Sequence, residues 1–303
     1  MRLTRLTPHE RANIAFGGFT ASAALVIMAV LAFIVWDVLS QGLPRLSWEF
    51  VSAAPRDGMT AGGIFPAIFG TVLLVLIMTA AVIPVGVITA IFLFEYAKPD
   101  SLFARAVRSA VYNLAGVPSI VFGLFGVGFF IQFVGGNLDR LFSDGQVIWG
   151  QPAILWAALT LAVLTLPVVI VATEEALRTV PREHREAALA LGSTRFEALW
   201  KVVLPQAVPG ILTGAILAVA RGAGETAPIL FTGAAYFLPH LPTSGHDQFM
   251  HLGYHVYVLA TQSPDIEATK PILYGTVLVL LLVTVILNLL AIGLRNRLRK
   301  QRA

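Results

Sequence analysis

The sequence predicts an all-α integral membrane protein with six transmembrane helices. Of its 303 residues 57% are hydrophobic and only 13% charged, outside the usage of ordinary soluble domains. Apolar runs near twenty residues recur, long enough to cross a hydrocarbon core of roughly 30 Å as helices. The runs are continuous rather than alternating with period two, which argues against a membrane β-barrel. There is no cysteine, so a disulfide scaffold and thiolate metal sites are excluded.

The first span is expected at 16–39. Arg2, Arg5 and Arg11 precede it, as they would in a cleaved signal sequence. The run exceeds that of a signal peptide and ends at Asp37 to Gln41 without a small-x-small pattern, which favours an uncleaved anchor. A linker rich in Pro, Gly and Ser follows over 42–63 and separates this helix from five further spans. Those are expected at 66–94, 110–133, 152–173, 208–233 and 272–294. Pro84 and Pro167 fall inside spans and are read as kinks, and the small-residue run Gly123, Gly126 and Gly128 as a packing surface. No internal repeat stands out, which disfavours folds built from two inverted halves.

Orientation follows from the basic residues. The first tail, the loops after the second and fourth spans and the final tail hold sixteen of the 21 lysines and arginines. The opposite loops hold four: Arg45, Arg56, Arg140 and Lys270. The positive-inside bias therefore puts both termini in the cytoplasm, consistent with an even number of spans. The net charge of +4 is on this reading a topology signal. A nucleic-acid binder would show a basic stripe on a soluble face, and none is present.

The cytoplasmic segment 174–207 carries the most specific pattern. Pro181 and Pro205 mark helix boundaries. Between them 183–191 reads as a short helix stopped by Gly192, and Thr194 with Glu197 as a capping box opening a second. Ala187, Ala188 and Ala190 keep this elbow slim, while Phe196, Leu199 and Trp200 offer apolar anchors to a partner. The residues alone equally allow a hairpin packed on its own membrane helices. Glu174, Glu175 and Arg178 read as solvated charges or docking contacts.

In the fifth span Arg221 lies about thirteen residues, or roughly 20 Å, from the expected start, hence near mid-membrane. A charge there normally faces protein or water with a partner, and Glu225, one turn on, is the obvious one. Gly210, Gly214, Ala218, Arg221 and Glu225 share one stripe of the helix, a small-residue packing face bearing both charges. The pair is either a buried bridge fixing helix packing or an anion gate, since arginine's fork suits phosphate oxygens. His246, His251 and His255 are expected in an outside loop at the interface. The last two have helical spacing that could ligate zinc, but no third ligand joins them and no metal is assigned.

Glu186, Ala187, Ala188, Gly192, Leu204 and Pro205 stand in the order and spacing of the "EAA loop" of ABC importer permeases, which they resemble; Val202 replaces the commoner isoleucine. Several runs resemble the PstA family of phosphate permease subunits. They are Asn113-Leu114-Ala115-Gly116-Val117-Pro118-Ser119-Ile120-Val121-Phe122-Gly123, Arg221-Gly222-Ala223-Gly224-Glu225-Thr226-Ala227-Pro228 and His255-Val256-Tyr257-Val258-Leu259-Ala260, with further patches at 63–71 and 173–177. The resemblance spans about 62–262. It implies a type I ABC importer (MetI-like) permease fold, with 1–65 as tail, first helix and linker, 66–294 as the transmembrane domain, and 295–303 as a basic tail.

The resemblance further implies that the loop at 186–205 couples the chain to a separate ATPase and that Arg221 and Glu225 line the translocation path. The implied partners are a second homologous permease subunit (PstC-like), a cytoplasmic dimer of ATP-binding subunits (PstB-like), and a periplasmic or lipid-anchored phosphate-binding protein (PstS-like). All sit in or on the inner membrane of a bacterium. The chain has no Gly-x-x-x-x-Gly-Lys loop to cradle ATP phosphates and no nucleophile–base pair, so no enzyme activity and no cofactor are expected. Alternatives are a permease for sulfate or molybdate, or a gradient-driven transporter. The latter would more often show several midplane carboxylates or broken helices, and here Glu225 alone qualifies.

Overall fold

The computed structural model describes residues 8–300 apart from 57, 58, 99, 100, 145 and 264. Arg2, Arg5 and Arg302, which contribute to the predicted charge bias, lie outside the described residues. Among those described, six helical stretches are long and apolar enough to cross a membrane: Asn13–Arg45, Phe65–Tyr96, Ser119–Phe142, Ile154–Arg178, Arg195–Gly224 and Ile266–Arg297. The predicted six-span, all-helical architecture is the observed one.

Helix α1 (Pro8–Gly42) packs along the last helix, α13 (Ile266–Lys300). The linker between α1 and the second span is ordered and not a simple loop. Ser47 caps the short α2 (Trp48–Ser52) by accepting from the Phe50 amide. A two-residue hairpin follows, β1 (Pro55–Arg56) against β2 (Ala61–Gly62). Phe50 is buried among Ile64, Met250, Leu252 and Ile272, so the linker closes one end of the bundle.

The core is built on three spans. Helix α3 (Phe65–Ile91) ends in a π-helical turn, Phe92–Tyr96. Helix α7 (Ile154–Arg178) is the most buried of the spans. The fifth span opens with α9 (Arg195–Ala198) and a π-turn, Leu199–Val203, before α10 (Leu204–Gly224). Leu74, Met78, Leu161, Val169 and Ala218 interlock where α3, α7 and α10 meet. The expected small-residue face on α10 does pack. A Cβ at Gly210 or Gly214 would run into Ala176 or Ala172 of α7, the close approach that small residues permit in lipid, where no hydrophobic drive pulls helices together.

Two spans depart from their predicted limits. The third was expected to start at residue 110. Instead α4 (Leu102–Ala115) is a separate helix, and the membrane-length stretch begins at α5 (Ser119–Phe125), continuing as a π-helical segment, Gly126–Gly135, and α6 (Gly136–Phe142). The break falls at Gly116, Val117 and Pro118. Proline disfavours helical geometry in the residue before it and has no amide to donate. The fifth span was expected to reach residue 233 but stops at Gly224. Glu225 is extended, and a one-turn α11 (Ile229–Thr232) follows Pro228. A hydropathy run does not register the first break, whose residues Gly116, Val117 and Pro118 carry no charge, and averages over the second, where Glu225 and Thr226 stand among apolar neighbours.

Candidate functional site

The elbow forms as the local sequence dictates. Helix α8 (Arg182–Ala190) ends in a left-handed residue, Gly192, at φ +86°. The Gly192 amide donates to the Leu189 carbonyl at 3.0 Å and the Ser193 amide to the Ala188 carbonyl at 3.1 Å, the paired bonds of a Schellman cap. Thr194 and Glu197 then form the expected capping box. Glu186, Ala187 and Gly192 are exposed, with Leu191 at the tip 88% exposed. Glu186 makes no hydrogen bond or ion pair with the described residues. Leu204 and Pro205 lie half-buried at the start of α10.

One of the three expected anchors, Leu199, behaves differently. Phe196 and Trp200 are exposed and stacked, with ring centroids 6.0 Å apart. Leu199 and Ala188 are buried, Leu199 against Leu177, Val203 and Ala207. They fix the elbow to its own chain, because a helix this short presents one face inward whatever its outer face docks on. Glu175 and Arg178 form an exposed ion pair at 3.1 Å. Glu174 is neither solvated nor a docking contact: it is buried and accepts from Arg108 Nε at 3.4 Å.

Arg221 sits in the last turn of α10, not mid-helix, yet near mid-membrane. A Cβ on its neighbour Gly222 would strike the Met78 thioether, with Thr165 at 4.0 Å; these residues lie near the centres of α3 and α7. The α10 helix therefore ends at mid-depth. Irregular backbone at that depth is tolerated only where protein or a water-filled cavity surrounds it. One wall is the turn into α11, where the Pro228 carbonyl lies 3.0 Å from where a Gly123 Cβ would be. The negative end of the α10 dipole favours a cation such as Arg221.

The ion pair is loose. Arg221 Nε lies 3.5 Å from Glu225 Oε1, with the side chains 39% and 22% exposed. A charge-assisted hydrogen bond would be about 2.7–2.9 Å. Arg221 makes no other polar contact with the described residues, which leaves its remaining N–H donors open. The small residues Gly210 and Gly214 of the predicted stripe face α7, while the two charges stay partly exposed.

The histidines correct a further expectation. His246 is surface-placed, 3.9 Å from Asp247, whose acidity is raised to a pKa of about 2 by amide and hydroxyl donors from Thr243 and Ser244 against some desolvation. His251 and His255 are not interfacial but buried, at the start and within α12 (Leu252–Thr261), which packs on α3 and α13. His251 Nδ1 accepts from the Gly253 amide at 3.1 Å, and both nitrogens of His255 lack a hydrogen-bond partner among the described residues. Burial pushes their pKa values down to about 3 and about 4. Folded pKa values below the unfolded 6.5 mean that stability is full above pH 6.5 and falls as pH drops toward them. Lowering pH from 6.5 to 5 should cost about 2 kcal/mol per imidazole, read as a falling thermal midpoint of the purified protein. His255→Leu should flatten that slope.

Sequence reading also passed over Glu95 and Arg108. Arg108 donates to the Leu93 carbonyl at 2.7 Å as well as to Glu174, and Arg185 of α8 reaches Glu95 at 2.8 Å. A charge inside or at the edge of an apolar run was the available signal; the partners lie too far off in sequence to be paired by spacing.

A six-span helical bundle with an exposed helix-turn-helix elbow and a helix break bearing a charge pair has the architecture of a membrane transport subunit. The chain belongs to the family of binding-protein-dependent transport system inner membrane components, whose model matches residues 82–302; it is a multi-pass inner-membrane protein. It is 33% identical to the probable ABC transporter permease protein YqgI of Bacillus subtilis, over 92% of this chain and 93% of that one. It is 31% identical to the probable phosphate transport system permease protein PstA of Methanocaldococcus jannaschii, over 86% of each. Its fold matches a chain of a bacterial alginate ABC transporter solved with a pentasaccharide-bound periplasmic protein (TM-score 0.70, 14% identity, 95% of this chain and 96% of that one). It also matches the inward-facing MetNI methionine ABC transporter (TM-score 0.57, 16% identity, 77% and 94%).

Proposed function

We propose that this chain is the permease subunit of an ATP-driven importer of inorganic phosphate. The observation that carries the reading is Arg221, held at mid-depth where α10 ends, loosely paired with Glu225 and with guanidinium donors to spare. A tetrahedral oxyanion has the charge and oxygen spacing such a fork accepts. The likeness to subunits named for phosphate transport points the same way. Broken helices, which would have favoured a gradient-driven transporter, occur here in two spans, but they equally suit an anion path lined by one chain and its neighbour.

On this reading the domain 66–294 works beside a second, homologous permease subunit that covers the open face of Arg221. Both termini are cytoplasmic. The exposed edge of the elbow, Glu186, Ala187, Gly192, Phe196 and Trp200, seats in a cytoplasmic dimer of ATP-binding subunits, and the chain itself is non-catalytic. An outside phosphate-binding protein delivers the anion. The test is uptake by the reconstituted complex, with labelled phosphate, sulfate and molybdate compared with and without ATP. ATP-dependent uptake of phosphate alone is expected. Uptake of sulfate or molybdate in its place would reassign the cargo, and phosphate uptake by this chain without an ATPase would overturn the coupling.

A further inference from the structure

Helix α8 meets the bundle through two polar ties of unequal burial. His184 Nδ1 contacts Gln206 Oε1 of α10 at 2.8 Å on the exposed side. On the other, Arg185 Nη2 lies 2.8 Å from Glu95 Oε2, with the glutamate side chain only 8% exposed and the arginine 25%. The same guanidinium sits 5.6 Å from the centre of the Phe94 ring. Glu95 and Phe94 belong to the π-turn that ends the second span, and Arg108 holds the carbonyl of Leu93 in that turn while reaching Glu174 of α7. One π-turn thus collects α8, α4, α3 and α7.

Given the coupling role proposed for the elbow, we infer that Arg185 and Glu95 form the latch that makes α8 and the end of α3 move as one body. The Arg185–Glu95 pair is the positioning pair that carries motion of the elbow into the second span. A nearly buried carboxylate with one cationic partner resists separation, because removing either charge strands the other out of water. The aromatic ring adds a second hold on the guanidinium face. The exposed His184–Gln206 contact has neither feature and steadies the helix without locking it. Coupling between two sites requires an element that both bias together, and the latched π-turn is such an element.

The test uses the assembled complex in liposomes and reads ATP hydrolysed per phosphate imported. Glu95→Gln should leave assembly and basal hydrolysis intact while that ratio rises about 5-fold or more, the low end of typical coupling between sites. The double variant Glu95→Arg with Arg185→Glu should recover part of the lost coupling. A wild-type ratio in Glu95→Gln would overturn the latch, as would loss of the ATPase subunit from that complex, which would make the pair an assembly contact. A second arm needs no transported ion. Because the chain has no cysteine, spin labels at Leu189→Cys on α8 and Ile88→Cys on α3 report the distance between the two elements. That distance should stay fixed on ATP trapping in the parent and shift in Glu95→Gln; a shift in the parent would overturn the latch. A parent complex that imports no phosphate counts against the proposed cargo alone, since the distance arm still decides the latch.

Discussion

Arg221→Gln should lower phosphate uptake by roughly 10²-fold or more while the complex assembles normally. Hydrogen bonds from a charged donor are worth about 1.5–3 kcal/mol each, and the neutral amide keeps fewer donors and no charge. The substitution also leaves Glu225, 22% exposed in the ion pair, as a lone carboxylate on the path, which repels an anion. Assembly should survive because glutamine keeps part of the arginine stem, and the tight helix contacts nearby are those of Gly214 and Gly222 with Ala172 and Met78. Uptake at the parental rate would remove Arg221 from the path and return the pair to a purely structural bridge. Loss of the complex on purification would do the same.

Gly192→Val should separate ATP hydrolysis from import. At φ +86° a residue with a Cβ, worst of all a β-branched one, is strained by about 1–2 kcal/mol. Nothing lies within 4 Å of the position where the Cβ would sit, so the effect is on backbone and not on packing. The Schellman cap opens, the turn to Thr194 loses its angle, and the exposed edge of the elbow is misaimed. Import by the complex should fall at least tenfold, the effect of about 1.4 kcal/mol, with hydrolysis largely retained. Glu186→Ala, at an exposed side chain with no hydrogen bond or ion pair among the described residues, should weaken coupling with no change in the thermal midpoint of the isolated subunit. Parental import in both variants would refute the elbow's role. A drop in the midpoint for Glu186→Ala would point to a contact within the chain.

Much of the elbow was legible because its determinants are local. A helix stopped by Gly192 and a second opened by Thr194 and Glu197 depend on residues a few positions apart, and the structure contains both. The outward or inward direction of each side chain was not legible in the same way. Ala187 and Ala188 are neighbours of one chemistry, and only the packing of α8 on its own chain decides that Ala188 is buried and Ala187 free. The buried charges were hidden for a related reason. Glu174 finds Arg108 across 66 residues, a separation over which no helical spacing rule applies.

By itself the sequence determined the number of spans, since a hydrocarbon core sets a minimum apolar length and each run meets it. It also determined the elbow, through glycine's tolerance of a left-handed turn and a reciprocal cap. The tertiary structure decided where the third and fifth spans break, because a Pro or a Gly–Glu within an apolar stretch permits a break without requiring one, and Pro84 and Pro167 lie inside unbroken helices. The mid-membrane depth of Arg221 was legible in the sequence, but only the structure showed that its helix ends there, beside Met78 and Thr165. The physical reason is that a partner one turn away can be read from helical spacing, whereas partners on other helices, such as Arg108 for Glu174 or Arg185 for Glu95, are set by packing that a single run does not record.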